Sequence, residues 1–155
     1  ASMQPVRVRV SVKAIIIQDG HLLLVRSRDR QGDWYLLPGG GQHPGESLPA
    51  ALRRECREEI GVDVEVGGLR FVRDYIGRNH EYADEDAGMH QVELMFACRL
   101  APGARPRVGP VPDSQQTGVA WIPLEAIGRH RVYPRQLAAV LRDATGGPVY
   151  LGDVN

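Results

Sequence analysis

Lysine is almost missing from this chain: Lys13 is the only one, and every other basic residue is arginine. A GC-rich genome accounts for that bias, which by itself says nothing about mechanism. Charge of one sign is also missing, since the formal net charge is +0. That leaves no basic field to hold nucleic acid without regard to sequence. Cys56 and Cys98 are too few for a disulfide framework or a zinc site, and both fall in apolar stretches as small hydrophobes. The five histidines are scattered, with no metal-ligand spacing. No apolar run is long enough to cross a membrane, and no signal peptide is read at the start, so a cytoplasmic protein is expected. A chain of 155 residues can bury a substantial core, and one domain, taken as residues 1–155, is the natural division.

What is present reads as strands, a helix, then strands and helices. "VRVRVSVKAIIIQDGHLLLVRSR" forms two strands joined at Asp19 and Gly20, and a short strand runs from Trp34 to Leu37. "VDVEVGGLRFVRDYIGR" is extended, as two strands broken at Gly67 and Gly68. An acidic loop, "NHEYADEDAGMH", leads to the strand "QVELMFACRL". The Pro/Gly-rich "APGARPRVGPVPDSQQTG" is the best candidate for a mobile loop. "VAWIP" is a strand, Leu124 to Ile127 a short helix, and "PRQLAAVLRDA" a C-terminal helix. Without repeats or linkers, this order predicts an α+β fold with a mixed sheet between helices.

The unusual stretch is "GGQHPGESLPAALRRECREEIGV". Ser47 is an N-cap, Pro49 falls in the first turn, and Gly61 can end the helix in the left-handed conformation. Leu48, Leu52, Cys56 and Ile60 make the buried stripe, with Arg53 and Arg57 pointing away. Glu55, Glu58 and Glu59 fall within roughly 100° of one another along the edge of that stripe. Like charges so spaced cost about 0.2–0.5 kcal/mol per pair, and the last helical turn already disfavours anions. A sequence that works against its own helix marks a functional site, and a cation bound among the carboxylates resolves the conflict.

Gly40, Glu46, then Arg54-Glu55-Cys56, Glu58-Glu59 and Gly61-Val62 fill every defined position of a known pattern, and the stretch resembles the Nudix box in full. "GDWYLLPGG" upstream and "VAWIPLEAI" downstream are similar to that family's lead-in and late strand, so the likeness runs from about residue 8 to 145. The resemblance implies an α/β/α sandwich and a hydrolase of nucleoside diphosphates linked to another group, dependent on Mg²⁺ or Mn²⁺. It implies Glu55, Glu58 and Glu59 as metal ligands, Glu46 as a residue that binds a further metal, directly or through water, and Arg54 as the residue that orients a glutamate through a bidentate pair. Gly39, Gly40 and Gly41 carry no Cβ, so their backbone can approach metal or phosphate, with Gly40 counted among the metal ligands. Trp34 and Glu93 complete the candidate substrate contacts, although tryptophan at such a place is more often core and the acidic loop is more often solvated.

One departure stands out. Where several Nudix enzymes place a further glutamate, "PDSQQTGVAW" has Gln115 and Gln116. An amide cannot act as a general base, which leaves Glu46, Glu59, Glu93 and Asp113 as candidates. The residue patterns for NADH and for coenzyme A are absent, and Gly77 stands where ADP-ribose enzymes often have proline. The expected partner is a nucleotide-type small molecule, with no stable nucleic-acid or membrane partner and a homodimer as a possible assembly. The alternative function is a noncatalytic module that binds a nucleotide or metabolite.

Overall fold

The computed structural model describes residues 7–143 and 145–155. Strand β1, Val8–Gln18, turns at Asp19 and Gly20, both at positive φ, into β2, His21–Asp29. The two pair only beside the turn and then diverge. β1 goes on to pair in parallel with β6, His90–Leu100, and antiparallel with β4, Gly39–Gly41. β2 pairs with β3, Gly32–Leu36, and with β7, Gln116–Pro123. The long strand β5, Val64–Ile76, lies antiparallel to β6. The short strands β8, Val132–Tyr133, and β9, Tyr150–Asp153, run parallel to β3 and β5. The result is a mixed sheet opened into two leaves at the β1–β2 turn.

Strand alternation feeds a core on each side. Val12, Ala14, Leu23 and Val25 meet Leu52, Cys56 and Ile60 of helix α1, Leu48–Ile60. Ile15, Leu22 and Leu24 point the other way, toward Ile127 of the 3₁₀ turn Leu124–Arg129 and Leu137 of α3, Leu137–Val140. Helices on both faces of a mixed sheet make this the expected α+β sandwich.

Three expectations are corrected. β5 is one strand, because its register slips around Leu69 absorb the two glycines; a side chain at Gly67 would press to 2.8 Å from the Ala97 carbonyl. The C-terminal helix is a four-residue turn, and residues 150–153 add a strand that local sequence did not announce. The segment read as an acidic loop contains the one-turn helix α2, Ala83–Asp86. In addition, the Pro/Gly-rich loop is fastened to the body: the N–H groups of Arg107, Gly109 and Val111 donate to the carbonyls of Ile60, Glu59 and Glu58 at 3.0, 2.9 and 2.9 Å. Those are the carbonyls that a helix end leaves without partners, so the loop completes α1.

Candidate active site

The local signals of α1 act as read. The Ser47 hydroxyl accepts the Ala50 N–H at 3.2 Å, and Gly61 closes the helix at φ 66°. The helix therefore presents Glu55, Glu58 and Glu59 toward the glycine strand β4. Gly39 and Gly40 are glycines for different reasons. Gly39 sits at φ 141°, and an added Cβ would fall 1.9 Å from the Val12 carbonyl oxygen. At Gly40 an added Cβ would lie 2.7 Å from the Glu55 carboxyl carbon, so the missing side chain is what lets that carboxylate reach the backbone.

Arg54 occupies the middle of the acidic group. It makes a fork with Glu46, Nε to Oε2 at 2.7 Å and Nη2 to Oε1 at 2.9 Å. Its Nη1 donates to Glu55 at 3.0 Å and Glu58 at 3.1 Å, and Nη2 also donates to the Gly41 carbonyl at 2.9 Å. The expected bidentate pair exists, and its partner is Glu46. Hydrogen bonds from Arg54, helped by the His43 N–H, pull the Glu46 carboxyl down to about 2. The predicted repulsion is thus already answered in part within the chain.

Glu59 is different. Only 2% exposed, it accepts the Gly39 N–H at 3.1 Å and has no ion-pair partner among the described residues. Burial pushes its carboxyl up to about 8; the Lys13 ammonium works against that shift, and the nearby Asp113 carboxyl reinforces it. Asp113 is held there by the fastened loop, whose Gln116 donates from Nε2 to the Glu59 carbonyl at 2.9 Å and from its N–H to the Asp113 carbonyl at 3.0 Å.

Gly39 and Gly40 also line a cleft of about 680 Å³. Trp34, Gly39, Gly40, Glu93, Asp113 and Gln115 line it; Glu55, Glu58 and Glu59 are not among its lining residues, although Glu59 lies beside Gly39 and Asp113, which are. Gly41 lies outside the lining, under the Arg9 guanidinium. Glu93 is committed: Arg73 binds both of its oxygens at 3.1 and 3.3 Å, and Gln91 adds a third bond at 2.8 Å. Trp34 meets Tyr133 edge to face at 6.4 Å, and its indole N–H is buried without a partner among the described residues. Around them, Arg131 grips Asp29 at 3.0 and 2.9 Å and donates to the Tyr82 hydroxyl at 3.0 Å.

Sequence reasoning missed Lys13, Arg73, Tyr82 and Arg131, all of which line the cleft. Only Lys13 carried a usable signal, the strict alternation of "VRVRVSVKA", which puts Arg9, Ser11 and Lys13 on one face.

The sequence pattern of the NUDIX domain matches residues 7–143. The chain belongs to the Nudix family. Nucleoside triphosphatase NudI of Salmonella agona is 37% identical over 98 residues, covering 59% of this chain and 69% of that one. The human 8-oxo-dGDP phosphatase NUDT18 is 31% identical over 126 residues, covering 77% of this chain and 35% of the relative. Among solved structures, a NUDIX hydrolase from Nitrosomonas europaea superposes with a TM-score of 0.70 at 23% identity over 93% of each chain, a likeness of fold. This Nudix protein is accordingly a pyrophosphohydrolase.

The Nudix residues suit a hard divalent cation. They offer carboxylate oxygens along one helix edge, a backbone that approaches because Gly40 has no Cβ, and a buried carboxylate, Glu59, that makes no ion pair among the described residues. As they stand, no three acidic, histidine or cysteine side chains among the described residues converge on one point, because Glu55 and Glu58 are turned to Arg54.

Proposed function

We propose that this Nudix hydrolase cleaves the pyrophosphate linkage of a nucleoside diphosphate that carries a further group, with nucleoside triphosphates as the first class of substrate. A triphosphate would yield the monophosphate and pyrophosphate. The observation that carries the reading is the glycine strand: Glu55 lies against Gly40, Glu59 accepts the Gly39 N–H, and both glycines line the cleft. NudI supports a triphosphate, and the 8-oxo-dGDP phosphatase supports a nucleoside diphosphate group.

Glu55, Glu58, Glu59 and the backbone of Gly40 would hold Mg²⁺ or Mn²⁺, which when bound supplies charge neutralisation for the diphosphate and an acidified water. Arg54 holds Glu46, Glu55 and Glu58 in place through its hydrogen bonds to all three. Of the four candidate bases, Glu46 is consumed by Arg54 and Glu93 by Arg73, so proton transfer falls to Glu59 or Asp113. Trp34 and Tyr133 form an aromatic end of the cleft for the base or the second moiety. Cys56 and Cys98 are free and buried, in keeping with a reducing cytoplasm.

The test is a panel of nucleoside triphosphates, diphosphates and nucleotide sugars, with products separated by ion-exchange chromatography in Mg²⁺, in Mn²⁺ and in excess EDTA. Metal-dependent release of a nucleoside monophosphate is the expected result. No turnover of any member, or equal turnover in EDTA, would overturn the proposal.

A further inference from the structure

The face of β1 turned away from α1 carries Arg9, Ser11 and Lys13 in succession, and all three line the cleft. Register sets them between two neighbours. Ser11 and Lys13 lie opposite Gly41 and Gly39 of the glycine strand, while Arg9, Ser11 and Lys13 lie opposite Gln91, Glu93 and Met95 of β6. Arg9 is exposed at the outer end, its guanidinium so close over Gly41 that an added Cβ there would stand 2.6 Å from Nη2. Lys13 is at the inner end, 7% exposed.

The surroundings of Lys13 are incomplete in a specific way. Its ammonium has three donors, and the one bond it makes is to the Leu37 carbonyl at 3.3 Å. It joins no ion pair among the described residues: the Glu59 and Glu93 carboxyls both feel its charge, but neither is within ion-pair distance, and Glu93 has both oxygens occupied by Arg73 and Gln91. A buried ammonium with spare donors is costly unless an anion completes it. In a chain that uses arginine everywhere else, the single lysine puts a compact ammonium beside the glycine backbone, opposite Gly39.

We propose that Arg9, Ser11 and Lys13 form an anion rail along β1, on which Lys13 directly holds phosphate oxygens of the substrate's diphosphate and Arg9 guides it in from solvent. The proposal rests on the reading of the cleft as a nucleotide site. It concerns binding by this chain's own cation, independently of any metal.

Because Lys13 is the only lysine, ¹³Cε-lysine labelling gives one side-chain resonance from the intact protein. Inorganic pyrophosphate, titrated in EDTA, should move that resonance to saturation with the same Kd that a thermal-shift titration reports. Lys13→Met keeps the chain length and removes a buried unpaired charge, so the fold should hold; its affinity for pyrophosphate should fall by about 10- to 100-fold, as for loss of a charge-assisted hydrogen bond. Arg9→Gln should weaken binding less and flatten its salt dependence. A stationary lysine resonance, whether pyrophosphate binds elsewhere or not at all, overturns the rail, as does unchanged affinity in Lys13→Met. Nucleotide turnover with Mg²⁺ is scored separately: turnover with a stationary resonance sinks the rail alone, and a moving resonance without turnover sinks the hydrolase reading alone.

Discussion

Replacing Glu59 by glutamine isolates the one box carboxylate that Arg54 does not reach. In the folded protein burial pushes this carboxyl up to about 8, from an ordinary 4.5. A raised acid stabilises the fold fully below its unfolded value, and that contribution is lost as pH rises toward the folded one, because the native state must then either hold the proton against its removal or bury the charge. Metal-free protein should therefore lose stability between pH 4.5 and 8 on account of Glu59, at up to about 1.4 kcal/mol per pH unit. The full span would come to about 4 kcal/mol at pH 8; water access and relaxation around the carboxylate reduce this to roughly 2 kcal/mol. Glutamine keeps the shape, can accept the Gly39 N–H through its oxygen and can donate to Asp113 through its amide. In EDTA at pH 8, Glu59→Gln should therefore melt roughly 4–8 °C above wild type, and the two should converge near pH 5. Saturating Mg²⁺ should raise wild type and leave the mutant nearly unmoved, since only a folded state that binds the ligand is stabilised by it. Thermal melts across pH 5–9 in EDTA and in Mg²⁺ make the measurement. Parallel pH profiles for the two proteins in EDTA would show that Glu59 is not a strained buried acid and would refute the reasoning.

Removing the guanidinium with Arg54→Ala leaves Glu46, Glu55 and Glu58 facing one another at partial exposure; a loss of about 1–2 kcal/mol is expected in EDTA, partly recovered by Mg²⁺, and read by denaturant unfolding. Glu58→Gln should by contrast be close to neutral in EDTA, because the charge it removes is already paired with Arg54 at 3.1 Å, while turnover should fall by ~100-fold; a mutant clearly more stable than wild type would mean that the repulsion is unanswered after all. Gly109→Ala would place a Cβ 2.3 Å from the Glu58 carbonyl oxygen, so the loop should lift from the end of α1, raising amide exchange at Gly109 and Val111 and lowering kcat through displacement of Asp113. Unaltered exchange there would show that the loop fastening is not needed.

Helix α1 was legible because its signals are local: Ser47, Pro49 and Gly61 each act within one turn of where they stand. The box glutamates were legible by spacing alone. What spacing could not show is that Glu46, eight residues before Arg54, folds back to claim its guanidinium, or that Glu59, alone of the four box glutamates, makes no ion pair among the described residues. Strand β9 escaped notice because its pairing with β5 is made 78 residues away along the chain, at Val72 and Tyr150, and nothing local requires it. Glu93 lines the cleft and also pairs with Arg73, both side chains 4% exposed, a partnership that exists only once β5 and β6 lie side by side. Lys13 seemed a matter of composition, and its meaning came from what surrounds it.

The most direct test of the central claim is the binding of Mn²⁺ to metal-free protein, followed by the loss of the free-ion electron paramagnetic resonance signal, for wild type and for Glu55→Gln, Glu58→Gln and Glu59→Gln. Wild type should take up Mn²⁺, each substitution should weaken that uptake by about 10-fold or more, and nucleoside triphosphate turnover in the same samples should fall in step. Full Mn²⁺ binding and turnover in all three variants would place the metal and the chemistry away from α1 and contradict the account.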